Sequence, residues 1–285
     1  MAINTIPGPT NRISEFLTSG TWVCPSGVYT AEFLVVGAGG AGGGADNSVN
    51  TRASAGGGGG GGAVKRQQLV TIPGSSYTVT IGAKGTGAVA LAGTNGGFSE
   101  IVLSGTTLIR SFGGGGGVGI TAADATDSAT RTKTLAGSGG NGQSLATVSN
   151  FIQGGGGGGA LFTERVNPTN SVSANLYNVY IGVEGGLGGG TTFPTQGRMG
   201  IDGLGAGGGG GVARLTALDG NEGAAPYGAG IGGSASSIVT ATDVAGTAAL
   251  ANTGSGGGGA LSAYSTTGAA GGNGADGLVR ISYVA

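Results

Sequence analysis

The clearest chemical signature in this sequence is a strand-like run that leads into glycines. Residues 33–36 (FLVV) precede residues 37–42 (GAGGAG), which carry the G-x-G-x-x-G spacing of a dinucleotide-binding loop. That loop requires a helix directly after the glycines, because the pyrophosphate binds at the helix N-terminus. Here two more glycines follow, and a second glycine run occupies 56–62, where a ribose-binding acid is expected. The pattern favours glycine-rich structure, and no nucleotide or other cofactor is expected.

A calcium-binding pattern is present in a single copy. Residues 271–279 (GGNGADGLV) match the repeat G-G-x-G-x-D-x-U-x, in which calcium lies between successive turns of a β-helix. One copy cannot make such a site, and Asp202 in residues 200–204 is only a partial second. The chain also has no histidine, which removes the commonest metal ligand and general base. No metal site is predicted.

Candidate nucleophiles and acids are equally few. Cys24 is the only cysteine, so no intramolecular disulfide can form and folding in a reducing cytosol is expected. It lies between Val23 and Pro25 and has no histidine partner, which indicates a small buried side chain. Asp124 and Asp127 fall in an Ala/Thr-rich insertion typical of a solvated loop. No catalytic residue is predicted, and the protein is not expected to be an enzyme.

Aromatic and arginine side chains between the glycine runs are better candidates for binding. Loops carried by a rigid scaffold commonly supply ligand contacts, and aromatic rings and arginines dominate such contacts. The alternative is that several of these rings seal the ends of the core. Specificity is expected mainly in 160–181 and 191–198, with 212–227 and 260–267 secondary. The candidate receptor-binding residues are Phe162, Arg165, Tyr177, Tyr180, Phe193, Arg198, Tyr227 and Tyr264.

The most unusual feature of the composition is its glycine content. Of 285 residues, 72 are glycine, 38% are hydrophobic, 9% are charged, and the net charge is −1. Collagen requires glycine at every third position and abundant proline, flexible linkers are polar throughout, and disordered chains combine high charge with few apolar residues. None of these fits. The absence of a basic excess argues against nucleic-acid or anionic-membrane partners, and no apolar run approaches a membrane span.

The glycines occur in solid runs separated by segments of very different length. In the polyproline-II conformation a glycine chain has three residues per turn and no internal hydrogen bonds. Its N–H and C=O groups can therefore bond laterally to neighbouring chains, which satisfies buried backbone groups. We predict a packed bundle of such polyglycine-II segments, the alternative being disordered spacers. The runs lie at 37–44, 56–62, 113–117, 154–159, 185–190, 207–211, 228–233, 256–259 and 268–274.

Strand patterns alternate with the glycine runs, and no amphipathic helix is evident after residue 20. The predicted fold is mainly β with little α: short antiparallel strands combined with a polyglycine-II bundle and end loops. Trp22, Phe33 and Tyr283 are assigned to the core. The predicted strands cover 30–36, 77–81, 100–103 with 107–109 as a hairpin, 278–284 and a further candidate at 175–181.

Four segments together resemble the glycine-rich domain of bacteriophage tail-fibre and tail-tip proteins. Residues 19–28 (SGTWVCPSGV) are similar to the Gly-Thr-Trp…Pro-x-Gly-Val opening of that domain, and 33–40 to its first strand running into glycine. Residues 72–82 and 276–283 resemble its second and closing strands. The resemblance covers roughly 19–285. More loosely, the chain is similar to the distal adhesins of T-even-like phages, in which polyglycine helices form a sandwich and end loops select the receptor.

This resemblance implies a virion protein, assembled in the bacterial cytoplasm, that recognises a bacterial surface glycan or outer-membrane protein. The alternatives are a purely structural tail or capsid-decoration component and, less well supported by the long insertions, an ice-binding bundle. Such domains often follow a fibre shaft, whereas about twenty residues precede this one. Residues 1–20 are therefore expected to form an attachment arm before a receptor-binding domain at 21–285, with 12–17 helical or extended. Its apolar contacts to a virion protein, or to another copy, would be Ile3, Ile6, Ile13, Phe16 and Leu17.

Overall fold

The computed structural model describes residues 10–45, 54–119, 143–144, 151–153, 203–214, 225, 227–235, 243–262 and 267–285. Within these residues the chain forms β-strands and extended glycine-rich segments, and none of them is helical. The strands are β1 (Asn11–Phe16), β2 (Gly20–Val23), β3 (Thr30–Val36), β4 (Ser54–Ala55), β5 (Val64–Val70), β6 (Ser76–Thr80), β7 (Ser99–Leu103), β8 (Thr106–Ser111), β9 (Gln143–Ser144), β10 (Phe151–Gln153), β11 (Val212–Arg214), β12 (Ser234–Ala235), β13 (Leu261–Ser262) and β14 (Leu278–Val284).

Two four-stranded antiparallel sheets pack face to face as a sandwich. Their strand orders are β1-β14-β3-β5 and β2-β6-β7-β8, and every second residue of each strand points inward. Trp22 lies at the centre of the shared core, with its ring centroid 5.2 Å from Tyr77, 5.8 Å from Phe33 and 5.6 Å from Tyr283. Cys24 is buried in the same cluster. The core assignments made from sequence are confirmed, including the small buried role of the cysteine.

The predicted mainly β fold is confirmed, with strand bounds that agree closely. Residues 30–36 and 278–284 are β3 and β14 as predicted, 77–81 corresponds to β6, and the hairpin is β7–β8 with its turn at Ser104 and Gly105. The candidate strand at 175–181 lies outside the described residues.

The N-terminal part of the described chain is a strand of the sandwich. Residues 11–16 form β1, which pairs with β14 from Asn11↔Val284 to Phe16↔Val279. The Arg280 guanidinium reinforces this pairing by donating to Glu15 at 2.7 Å. Residues 11–16 are thus extended and form an edge strand of the sandwich, and the attachment role of residues 1–20 stays a prediction.

Ten extended segments form a bundle beside the sandwich, and we label them p1 to p10 in chain order. Each lacks backbone–backbone hydrogen bonds within itself and bonds laterally to its neighbours. Six of them continue directly from, or lead directly into, the sandwich strands β3, β5, β6, β7, β8 and β14. The segments are p1 (37–45), p2 (56–63), p3 (82–89), p4 (91–97), p5 (112–119), p6 (205–211), p7 (228–233), p8 (244–250), p9 (253–260) and p10 (269–277).

The hydrogen bonds of p1 repeat every three residues, as expected for a three-residue turn. Each third N–H faces the same neighbour, and the three faces donate to p2, p4 and p10 at 2.8–3.0 Å. Residues 37, 40 and 43 donate to the carbonyls of 63, 60 and 57; residues 38, 41 and 44 to those of 97, 94 and 91; and residues 39, 42 and 45 to those of 275, 272 and 269.

Segments p1 and p9 are each surrounded by six others. The carbonyls of p1 accept from p3, p5 and p9, in addition to the three segments to which it donates. Segment p9 bonds p1, p2, p6, p7, p8 and p10. These neighbours fit three layers, p5–p2–p6, p4–p1–p9–p7 and p3–p10–p8. The predicted polyglycine-II bundle is therefore present among the described residues, and its lateral bonds offset the cost of ordering glycine.

Close approach of backbones, rather than turn geometry, explains most of the glycines. A Cβ built on Gly40 would overlap the Gly115 carbonyl, and one on Gly42 would overlap that of Gly258. Ala38 and Ala41 are nevertheless fully buried in p1. They occupy the same three-residue phase, which shows that the lattice leaves room for a methyl group in that direction along part of p1.

Register in the sheets carries over into the bundle. The β3–β5 pairing ends at Val36↔Val64, and the next bond, from the Gly37 N–H to the Ala63 carbonyl, continues the same register. Two buried serines form hydrogen bonds where the sandwich strands meet the bundle. The Gly82 N–H donates to the Ser99 hydroxyl at 3.0 Å, and the Ser111 hydroxyl donates to the Val35 carbonyl at 2.7 Å. The sandwich thus sets the position of each segment that extends from it.

Exchanging the residues at positions 41 and 42 should destabilise the protein without changing its composition. In the double variant Ala41→Gly with Gly42→Ala, the methyl group moves to a phase where it overlaps the Gly258 carbonyl. We expect a loss of about 3 kcal/mol or more in the free energy of unfolding, since overpacking a rigid core is costly. The control Ala41→Gly alone should lose about 1 kcal/mol. Urea unfolding checks this, and equal midpoints for the two variants would contradict the three-residue phase.

Candidate functional site

The connections of the bundle gather at the end away from the sandwich, which we call the loop end. Segments p1, p3, p5, p6, p7 and p9 run toward it, whereas p2, p4, p8 and p10 run back from it. Segments p3 and p4 reverse tightly there through Ala90, whose φ is 61°. The residues on either side of 46–53, 236–242 and 263–266 also lie at this end. Four chain reversals are therefore presented on one rigid base.

Two short sheets tie the long insertion to the loop end. Strand β4 pairs with β13 and with β9, and β11 pairs with β10 and β12. Strands β9 and β10 belong to the stretch between p5 and p6, and β10 lies against β4. The insertion that follows p5 is thus anchored to the loop end at two points along its length.

The loop end has a polar cluster on one side of the bundle and exposed apolar side chains on the other. The Asp243 carboxylate, just before p8, accepts from the Ser262 hydroxyl at 2.7 Å and from the Thr267 hydroxyl at 2.6 Å. These bonds hold the connection between p9 and p10 against the start of p8. On the other side of the bundle, Val89 and Leu91 expose their side chains around the p3–p4 turn. Sequence reasoning missed these residues, because neither their spacing nor their type marks a site.

The predicted receptor-binding residues divide into two groups. Tyr227 is described: its side chain is 78% exposed, and it lies beside Gly203, where p6 and p7 begin next to the sandwich. The structure therefore places Tyr227 at the opposite end of the bundle from the loop end. The others lie outside the described residues, namely Phe162, Arg165, Tyr177, Tyr180, Phe193, Arg198 and Tyr264.

The predicted attachment residues are also separated. Phe16 packs against the sandwich core and is not an exposed contact. Ile13 is exposed on β1, and Leu17 is exposed near the bundle. Ile3 and Ile6 lie outside the described residues. Of the three described members of this set, two are therefore exposed, and the attachment role of the set stays a prediction.

The chemical motifs have structural roles in the described part of the chain. The dinucleotide-like glycines 37–42 lie in p1, which is extended and hydrogen-bonded to neighbouring segments through residue 45. Asp276, from the calcium-like pattern, accepts from the Lys84 N–H at 2.8 Å and so holds p3 against p10. No group of three or more potential metal ligands occurs among the described residues, and no helix there could cross a membrane.

A second exposed aromatic feature lies on the outer face of the β7–β8 hairpin. The Arg110 guanidinium sits 4.5 Å from the centroid of the Phe98 ring and donates to Glu100 at 2.7 Å. Phe112 is exposed across the hairpin from Phe98. This cluster lies where p4 ends and p5 begins, next to the sandwich, and it is therefore distant from the loop end. The ion pair is partly buried, since the side chains of Arg110 and Glu100 are 40% and 13% exposed.

The architecture corresponds to a known family. A family model described as a glycine-rich domain matches residues 14–284, which spans both edges of the sandwich and the whole bundle. The chain belongs to the glycine-rich domain family. This glycine-rich domain thus includes Ser14 of β1, in agreement with the pairing of that strand with β14. Among curated proteins, none matches the chain.

Proposed function

We propose that this glycine-rich domain is the receptor-binding tip of a bacteriophage tail fibre, which recognises a bacterial surface glycan or outer-membrane protein. The observation that carries the proposal is that the two ends of the molecule differ. Chain reversals and the anchored insertion gather at the loop end, whereas the sandwich forms the other end. A protein that binds a host through one end and a particle through the other has this organisation.

The core of the bundle is rigid, and its side chains are too small to recognise a ligand. Segments p1 and p9 are hydrogen-bonded to six neighbours each, so their ends are fixed relative to one another. Their glycines have no side chains and their alanines carry only a methyl group, so they cannot distinguish one ligand from another. Recognition must therefore come from the connections that the bundle holds in place, and little binding energy is spent on ordering the base.

The proposal includes no chemical step and no cofactor. The protein would be assembled in the bacterial cytoplasm and would work on the virion, where another tail protein holds it. A purely structural tail or capsid-decoration role is the alternative. The long insertion favours recognition over this role, because its two short strands β9 and β10 are held at the loop end, where a decoration protein needs only short connections.

Replacing two aromatic residues of the insertion should separate these functions. We expect Tyr180→Ala with Phe193→Ala to reduce the binding of labelled protein to host bacteria at least tenfold, since aromatic contacts often dominate an interface. The melting temperature should change by less than about 2 °C, because neither residue belongs to the segments p1 to p10 or to the sandwich strands. Flow cytometry with intact and surface-stripped cells, together with thermal unfolding, measures both quantities.

Tyr227→Ala is the matched control for this experiment. It removes an exposed aromatic ring from the opposite end of the bundle, so cell binding should equal that of the parent. Parent protein that binds no host cells would favour the structural role. A double variant that binds normally, or that unfolds, would show that these two rings are not receptor contacts.

A further inference from the structure

The sheet formed by β2, β6, β7 and β8 has an outer face that the sandwich core leaves open. Side chains along each strand alternate between core and solvent, and paired residues of neighbouring strands lie on the same face. The pairs Thr21↔Thr78 and Glu100↔Arg110 share the outer face, and Val102, which pairs with Thr78, is two residues from Glu100. We use the term sheet face for six residues of this surface: Thr21, Thr78, Phe98, Glu100, Arg110 and Phe112.

Two phenyl rings form the edge of the sheet face that is next to the bundle. Phe98 and Phe112 are each 41% exposed, and they flank the pair Ser99↔Ser111, whose side chains are buried. The two rings therefore point the opposite way, to the outer face. The Arg110 guanidinium, which also lies on this face, is 4.5 Å from the centroid of the Phe98 ring. Exposed rings offer a ligand flat apolar surfaces.

The ion pair of the sheet face keeps hydrogen-bonding groups for a ligand. The Glu100 Oε2 atom accepts from the Arg110 Nε at 2.9 Å, from its Nη2 at 2.7 Å and from the Thr107 hydroxyl at 3.3 Å. Among the described residues, nothing bonds the Glu100 Oε1 or the Arg110 Nη1. The pair thus retains one acceptor and one donor, and a sugar hydroxyl can bond either of them.

The charge of the sheet face restricts its ligand. Glu100 and Arg110 are the only charged residues of the four strands, and they neutralise each other. A charged ligand would lose hydration here without gaining an unpaired partner. Thr21 and Thr78 add exposed hydroxyls that bond no residue of the described chain. An uncharged ligand with many hydroxyl groups therefore matches this surface.

The arrangement of the groups favours a sugar over a protein partner. A protein interface has an apolar centre and a polar rim, whereas here the rings lie at one edge and polar groups occupy most of the remaining face. Phe98 and Val102 are four residues apart along extended chain, which is about 13 Å. That length exceeds one sugar ring, so the sheet face accommodates several sugar residues in a row.

We infer that the sheet face binds a neutral oligosaccharide. A sugar ring would lie on Phe98 or Phe112, and sugar hydroxyls would bond the ion pair and the threonines. The site is separate from the loop end, because it lies on strands of the sandwich, and it does not depend on receptor binding there. A weak site of this kind adds avidity when a stronger site binds the same surface.

The test measures binding of the full chain to a microarray of neutral oligosaccharides built from hexoses and N-acetylhexosamines. The parent should bind at least one of them, and Phe98→Ala should lower that signal at least about fivefold, because it removes a ring that the sugar contacts. Thr78→Val should lower it at least about threefold, because it removes a hydroxyl and keeps the side-chain shape. Its melting temperature should stay within about 2 °C of the parent, since Thr78 is exposed. Tyr227→Ala is the control, because it removes an exposed ring beside Gly203 and should bind like the parent.

Each result decides between defined alternatives. A parent that binds no neutral oligosaccharide would overturn the inference, and so would a parent-like signal for Thr78→Val or for folded Phe98→Ala. If Phe98→Ala is unfolded by circular dichroism, Thr78→Val alone decides. Loss of array binding in the variant Tyr180→Ala with Phe193→Ala, beside a parent-like Thr78→Val, would assign the sugar to the loop end, which overturns the sheet face and supports the proposed function. Array binding that Thr78→Val weakens, by a parent that does not bind host cells, would support the sheet face and contradict the receptor proposal.

Discussion

Replacing Gly59 by valine should abolish the native fold at ordinary temperature. Gly59 lies in p2, where its N–H donates to the Gly257 carbonyl at 2.8 Å and its carbonyl accepts from Gly208 at 2.9 Å. A Cβ at this position would overlap the carbonyls of Gly40 and Ala41. Backbone atoms cannot swing aside as a flexible side chain can. The valine therefore has to separate p2 from p1, which breaks several lateral hydrogen bonds at once.

We expect a loss of about 4 kcal/mol or more for Gly59→Val, which is a large part of the 5–15 kcal/mol that stabilises a typical domain. Gly59→Ala should be severe as well, because the clash begins with the Cβ. Gly20→Ala is the control: its Cβ would lie 3.5 Å from the Phe16 ring, an ordinary contact, and its melting temperature should stay near that of the parent. A parent-like melting temperature for Gly59→Val would mean that p2 is not packed in a lattice.

Strands and solid glycine runs were predictable because each follows from one local rule. Alternation of apolar and polar residues predicts β3, β6, β7, β8 and β14, and the glycine runs predict p1, p2, p5, p6, p7, p9 and p10. Strand β5 was missed, since its sequence KRQQ at 65–68 is polar and exposed. For residues 12–17 the sequence did not decide between a helix and an extended segment, because only the distant β14 makes β1 a strand.

Segments p3, p4 and p8 show why the bundle could not be fully predicted. They lie in the outer layers or at the end of a layer, and so have fewer neighbours than p1 and p9. Val89, Leu91 and Leu250 point into solvent from these segments. Glycine is needed only where another backbone approaches, for example at Gly85, where a Cβ would overlap the Thr94 carbonyl. A sparse glycine pattern therefore signals an outer position, which no run-based rule detects.

The candidate site was less predictable than the fold. The sequence indicates that connections carry the recognising side chains, but it does not show at which end each connection lies. Tyr227 is an example, because its segment begins at the loop end and returns to the sandwich before p7.

Register explains why the sandwich and the bundle should unfold together. The β3–β14 pairing ends at Val36↔Leu278, and p1 then donates to p10 in the same register at Gly39, Gly42 and Ala45. The same continuity joins β6–β7 to the p3–p4 pair, where Gly97 donates to Ala83. Glycine segments have no side chains with which to select a register. The packed strands must supply it.

Replacing Trp22 by alanine should therefore destabilise the bundle as much as the sandwich. Trp22 is 4% exposed and contacts the rings of Phe33, Tyr77 and Tyr283. Removing a large aromatic side chain from a core costs about 3–5 kcal/mol. Since the strands set the register of the segments, hydrogen exchange of the glycine amides in p1 and p9 should accelerate by the factor that corresponds to the same free energy. Exchange followed by mass spectrometry, beside near-ultraviolet circular dichroism of the tyrosines, measures both parts.

Tyr29→Ala provides the matched control, because it removes an exposed ring from the same sandwich. Its effect should be within about 0.5 kcal/mol, as for most surface substitutions. Hydrogen exchange of the p9 amides is the most stringent test of this prediction. It follows no sandwich strand, yet it bonds p1, p2 and p10, which do continue from strands. If the Trp22→Ala variant exposed the strands to exchange while the p9 amides kept their parent protection, the bundle would be stable alone, and register would not come from the sandwich.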